Sequence, residues 1–118
     1  MSDSIEIESI LDSIKKLLGI ADDMTRFDAD ICMHINTAFS RLYQLGIGAE
    51  PFHVTNSDAK WSDFTGDDNR IEAVKSYIFV RVKMLFDPPT SSSVLEAYKI
   101  TISEMEWRLG VTAETTEV

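Results

Sequence analysis

Cysteine, histidine and clustered positive charge are all scarce in this chain, and each scarcity removes a class of function. The single cysteine, Cys32, excludes an internal disulfide. Its place beside Ile31 in a helical apolar pattern makes it a small buried hydrophobe rather than a reactive thiol. The two histidines, His34 and His53, are far apart in sequence, and Cys32 and His34, two positions apart on a helix, point to different faces. No metal site is expected. Asp63, Asp67 and Asp68 lack the alternating order of a calcium loop, and Asp28 and Asp30 meet the same objection. The chain has no Gly-rich phosphate loop, no nucleophile elbow and no Cys-x-x-Cys pair, so no catalytic residue, cofactor or enzymatic activity is expected.

Lysine and arginine total 11 against 20 aspartates and glutamates, a formal charge of −9, and the only adjacent basic pair is Lys15-Lys16. Gripping nucleic acid needs clustered positive charge to neutralise phosphates, so an acidic chain of this kind repels DNA. The longest apolar run falls far short of a bilayer span. The opening MSDSIEIES is acidic where a secretory signal is basic and then apolar, which predicts a chain made and kept in a cytoplasm.

What is present is helical periodicity, and it centres on RIEAVKSYIFVRVKMLFDPP, from Arg70 to Pro89. Ile71, Val74, Ile78, Val82 and Leu85 share one face. Phe79 and Phe86 widen it on one side, Tyr77 and Met84 on the other. Only a narrow strip with Glu72, Ser76 and Lys83 is polar, so this helix should be covered on two sides. Pro88 and Pro89 cannot continue it, and Phe86-Asp87-Pro88-Pro89 forms a firm turn.

Three further helices flank this one. Ser4 can cap a first helix with Ile7, Ile10, Leu11, Ile14, Leu17 and Leu18 on its face, closed by Gly19. Its Glu6 and Glu8 fall in the first turn and Lys15 and Lys16 in the last, as the helix dipole prefers. A second, capped by Asp28, runs through Ile31, Ile35, Ala38, Phe39, Leu42 and Leu45 to Gly46. Asp67, Asp68 or Asn69 caps the central helix. Ser93 and Glu96 have capping-box spacing at the start of the last helix, whose stripe is Leu95, Tyr98, Ile102, Met105 and Leu109 and whose end is Gly110. Between Pro51 and Asn69 the pattern breaks into a structured excursion with one or two possible short strands, Phe52-His53-Val54 among them. The fold class is therefore mainly α: one small domain over 1–110 with four main helices and an irregular excursion between the second and third, then a disordered tail over 111–118.

Four large side chains do not fit this helical scheme. Trp61 and Phe64 stand isolated in the excursion, and Ile100 and Trp107 lie two turns apart on a face of the last helix other than its main stripe. A chain this short has a small interior, so these residues are candidate subunit-interface positions; the other possibility is that the excursion folds back and covers them.

The order of parts resembles the head-tail connector, or head-completion adaptor, family of tailed bacteriophages and prophages. The likeness is carried by Leu17-Leu18-Gly19-Ile20, Phe27-Asp28-Ala29-Asp30-Ile31, His34-Ile35-Asn36, Leu42-x-Gln44-Leu45-Gly46-Ile47-Gly48 and Trp61-Ser62-Asp63-Phe64. It continues through Val74-Lys75-Ser76-Tyr77-Ile78, Leu85-Phe86-Asp87-Pro88-Pro89 and Glu104-x-Glu106-x-Arg108-Leu109. The resemblance implies a helical virion protein, assembled in the bacterial cytoplasm, that forms a ring of about a dozen copies under the portal after DNA packaging. Such adaptors extend the DNA channel and present a docking surface for the next connector or tail component. The implied partners are other copies of the chain, the portal protein and that next component, with DNA passing through unread. The resemblance also implies that a free copy can remain monomeric until it meets the portal. The rival reading is an acidic cytoplasmic interaction module, a regulator or inhibitor that occupies a basic partner.

Overall fold

The computed structural model describes residues 8–48, 51–65 and 71–117, the side chains of Thr65 and of 112–117 excepted. The expected caps Ser4 and Asp67, Asp68 or Asn69 lie outside the described residues, as do Glu6 and Ile7. Five helices follow one another: α1 (Ile10–Leu18), α2 (Asp28–Gln44), α3 (Trp61–Thr65), α4 (Ile71–Phe86) and α5 (Ser92–Glu117).

α1 starts at Ser9, whose hydroxyl accepts from the Asp12 amide, so Glu8 precedes the helix instead of sitting in its first turn. At the other end Gly19 takes φ +82°, and its amide and that of Ile20 turn back to the carbonyls of Lys16 and Lys15. That double bond satisfies carbonyls the last helical turn leaves open, and the left-handed residue within it favours glycine. α2 closes in the same way, with the Gly46 and Ile47 amides bonded to the carbonyls of Tyr43 and Leu42. Asp28 does not cap α2, as its sequence position suggests. The helix begins on Phe27 without a side-chain cap bond, and the Asp28 carboxylate lies 2.9 Å from the ammonium of Lys15. Lys15 is buried, and it also donates to the Asp22 carbonyl at 3.2 Å. A cation taken out of water needs such partners, and here they tie the α1–α2 turn to both helices.

α4 is the central element. It packs most extensively on α2, carries α5 on another side and touches α1, which is the two-sided cover its broad stripe predicts. Ile71, Val74, Tyr77, Ile78 and Val82 are buried. Leu85 departs from the stripe and is 48% exposed. The turn at Asp87-Pro88 follows as expected; Phe86 meets Phe27 edge to face at 5.4 Å, and Asp87 accepts from Lys83 at 2.7 Å.

The excursion contains no strand among the described residues. Its order comes from three arrangements. The Asn36 amide on α2 bonds both the N–H and the C=O of Val54, at 2.7 and 3.0 Å, acting as a one-residue strand partner. Residues 8–10 pair with 59–61 through an isolated bridge between Ser9 and Lys60, flanked by bonds from Ile10 to Ala59 and from Trp61 to Glu8. Then α3 turns inward, with the Asp63 carboxylate accepting from the Lys60 amide at its start.

The cap of α5 lies two residues before the expected one, and the helix begins at Ser92. Ser91, rather than Ser93, accepts from the Val94 amide, since its carbonyl already takes the first helical bond from Leu95. Gly110 does not end α5. The helix passes through it, and the tail expected to lack order from 111 is helical as far as Glu117. Gly110 has no positive φ, and a Cβ built there meets no atom within 4 Å. Gly110→Ala is therefore expected to stabilise the chain by about 0.5–1 kcal/mol, the usual glycine cost inside a helix. A thermal melt should move upward by a few degrees; a lower midpoint would mean that the helix breaks at this position.

Candidate interaction surface

α5 has two apolar faces. On the inner one Ile102 and Leu109 are buried, with Leu95, Tyr98 and Met105 half-buried beside them. On the opposite side Ile100, Trp107 and Val111 recur at the spacing of one helical stripe and are 55%, 70% and 41% exposed. Exposed Glu104 falls on the same stripe. A tryptophan left this open, with two aliphatic neighbours one or two turns away, is an apolar surface without a cover.

What fixes α5 in this orientation is Glu106, on the inner side. Its Oε1 accepts from Arg41 Nη2 at 3.1 Å and from Nε at 3.4 Å; its Oε2 accepts from the Tyr77 hydroxyl at 2.7 Å and from Arg81 Nη1 at 3.3 Å. One carboxylate thus joins α2, α4 and α5. Burial alone would raise the Glu106 pKa, but the Tyr77 and Arg41 hydrogen bonds and the charges of Arg41 and Arg81 outweigh it and hold the group below the usual carboxylate range. The Tyr77 hydroxyl is pushed up, first by burial and then by its bond to Glu106. Arg81 also lies over the Tyr77 ring, 5.9 Å from its centre.

Beside this cluster an open groove of about 750 Å³ runs along α2, with Ala29, Met33, Asn36, Thr37, Ser40 and Arg41 in its wall. Arg81 closes one side of it and Val54 another. Cys32 also lines the groove, and burial followed by the charge of Asp28 raises its thiol pKa, so it stays protonated and unreactive.

The structure separates the four expected interface residues into two pairs. Trp61 is fully buried, and its indole N–H donates to the Ser13 hydroxyl at 3.0 Å. Phe64 is half-buried against Phe39 and Phe52, with ring centres 4.7 and 5.4 Å away. The excursion folds back over the core, taking Trp61 fully inside and covering Phe64 in part, so the two do not stand out together as an open loop patch. Ile100 and Trp107 remain outside and together. Val111 joins them although the expected stop at Gly110 separates it from the helix in sequence; its i+4 spacing from Trp107 is the signal. The Glu106 cluster was missed as a unit, since its members come from three helices. Among the described residues no three His, Cys, Asp or Glu side chains come together as a metal site, and no helix is long and apolar enough to cross a membrane.

No curated protein and no solved structure matches this chain. A family model does, that of the phage connector protein, over residues 10–116, from the first residue of α1 almost to the last of α5. The matched span therefore includes both faces of α5, the Glu106 cluster and the α2 groove, and the chain belongs to the phage connector protein family.

Proposed function

We propose that this connector protein is a structural adaptor without a catalytic step of its own, and that it assembles as a ring below the portal and completes the head after DNA is packaged. The observation that carries this reading is the outer stripe of α5. Ile100, Trp107 and Val111 form an apolar face that one copy leaves open, on a helix whose other face is already used. A ring closed by rotation joins two different faces of each subunit, and such a face supplies one of them. The charge of −9 supports the rest. An acidic wall holds DNA off, so the duplex passes without adhering. The far side of the ring then docks the next connector or tail component.

The test is assembly on purified portal, followed by electron microscopy. The wild-type chain should decorate the portal as a ring. Trp107→Ala should leave the thermal midpoint of the free protein nearly unchanged, within about 0.5 kcal/mol as for an open surface position, while cutting ring occupancy at least about tenfold, the effect of some 1.4 kcal/mol per contact. A wild-type chain that binds one basic partner and never decorates the portal would instead favour an acidic inhibitor.

A further inference from the structure

We propose that the groove along α2 is the acceptor for the α5 outer stripe of the neighbouring copy. This rests on the ring reading above and adds which two faces meet. With Trp61 buried and Phe64 half-covered by Phe39 and Phe52, this pair no longer offers the open second face that a head-to-tail contact requires. The groove offers one. Arg41 at its wall bonds Glu106 on the inner side of α5, whereas Trp107 lies on the outer side of that helix. Groove and stripe therefore open in different directions, and one copy cannot fill its own groove with its own stripe.

Three features match the two surfaces. The α2 wall from Ala29 to Gln44 spans 15 residue steps, about 22 Å at 1.5 Å per residue, and so accommodates the stripe from Ile100 to Val111, whose 11 steps span about 16 Å. The wall is built largely of small side chains: Ala29, Thr37 and Ser40 leave the space, and Met33, 58% exposed, gives an adaptable apolar contact for an indole. The charges are also opposite. In a chain of net charge −9 the groove brings together two arginines, Arg41 and Arg81, and the stripe carries Glu104 between Ile100 and Trp107. Arg41 is 42% exposed, so it can meet a second carboxylate while keeping Glu106.

Thr37→Trp tests this by filling the groove. Thr37 is exposed and its hydroxyl bonds the Met33 carbonyl of its own helix, so the fold should survive, as circular dichroism and an unchanged melt would show. Ring formation on portal should fall at least tenfold for Thr37→Trp, as for Trp107→Ala. Mixing the two variants on portal should then give adjacent pairs, because the stripe of the first and the groove of the second are both intact; neither variant alone should pair there. If Thr37→Trp forms rings like the wild type, the groove is not the acceptor and the ring reading stands. If the wild type forms no ring, the ring reading falls and this assignment with it. A folded Thr37→Trp that fails alone and also fails to pair with Trp107→Ala overturns the groove-to-stripe match.

Discussion

Trp61→Ala is expected to cost about 4 kcal/mol, the usual range for emptying a fully buried large aromatic position, and so to remove much of the 5–15 kcal/mol that holds a domain of this size together. The loss has two sources. The indole sits at zero exposure beside Phe39, whose ring centre is 6.4 Å away, so its removal opens a cavity under α3. The Ser13 hydroxyl, buried on α1, also loses the donor 3.0 Å from it. Trp61→Phe keeps most of the volume and should cost less than half as much. Chemical denaturation of both variants beside Trp107→Ala checks the contrast. Equal and small effects at the two tryptophans would mean that α3 does not close over the core.

Replacing Glu106 is expected to have the next largest effect, because one carboxylate serves three donors on two other helices. Glu106→Ala leaves the Tyr77 hydroxyl and two guanidinium groups without their acceptor, and should cost about 3 kcal/mol, at the lower end for breaking a buried charged pair since Arg41 is partly solvated. Glu106→Gln keeps an acceptor oxygen and should cost about half of that. The pH dependence has a definite sign. The folded carboxyl titrates below its unfolded value of 4.5, so its contribution is complete above that value and disappears as the pH falls through the lower folded one. Tyr77 shifts in the opposite direction, so its contribution is complete below about 10 and declines as the pH rises toward the higher folded value. Denaturation midpoints measured from pH 7 down to pH 3 should converge between wild type and Glu106→Gln. A constant gap across that interval would show that the carboxylate is not held by these partners.

The four long helices were legible because each carries its own local signals, whereas α3 falls in the stretch expected to be irregular. Gly19 and Gly46 mark two ends, Pro88 and Pro89 a third, and the breadth of the Ile71–Phe86 stripe announced an element covered on two sides. The path of the excursion was not legible, because it depends on distant partners: Asn36 for Val54, Glu8 and Ser9 for the segment before Trp61. Hence Trp61 and Trp107 read alike in sequence, as large residues outside any stripe, although one is sealed in the core and the other stands open. The last helix shows the converse limit. Gly110 resembles a stop, but a single glycine costs only about 1 kcal/mol in a helix, too little to end one that is anchored by Leu109 on the turn before it. The same error hid Val111 and so the full length of the outer stripe.

A reconstruction by electron microscopy of the chain assembled on its portal tests the central claim most directly, since it locates every Trp107 in the assembly. The account predicts a closed ring in which each Trp107 side chain lies against the next copy, out of contact with water. A portal bearing no ring, or a ring in which Trp107 stays as open to solvent as the 70% it shows in a single copy, would contradict it.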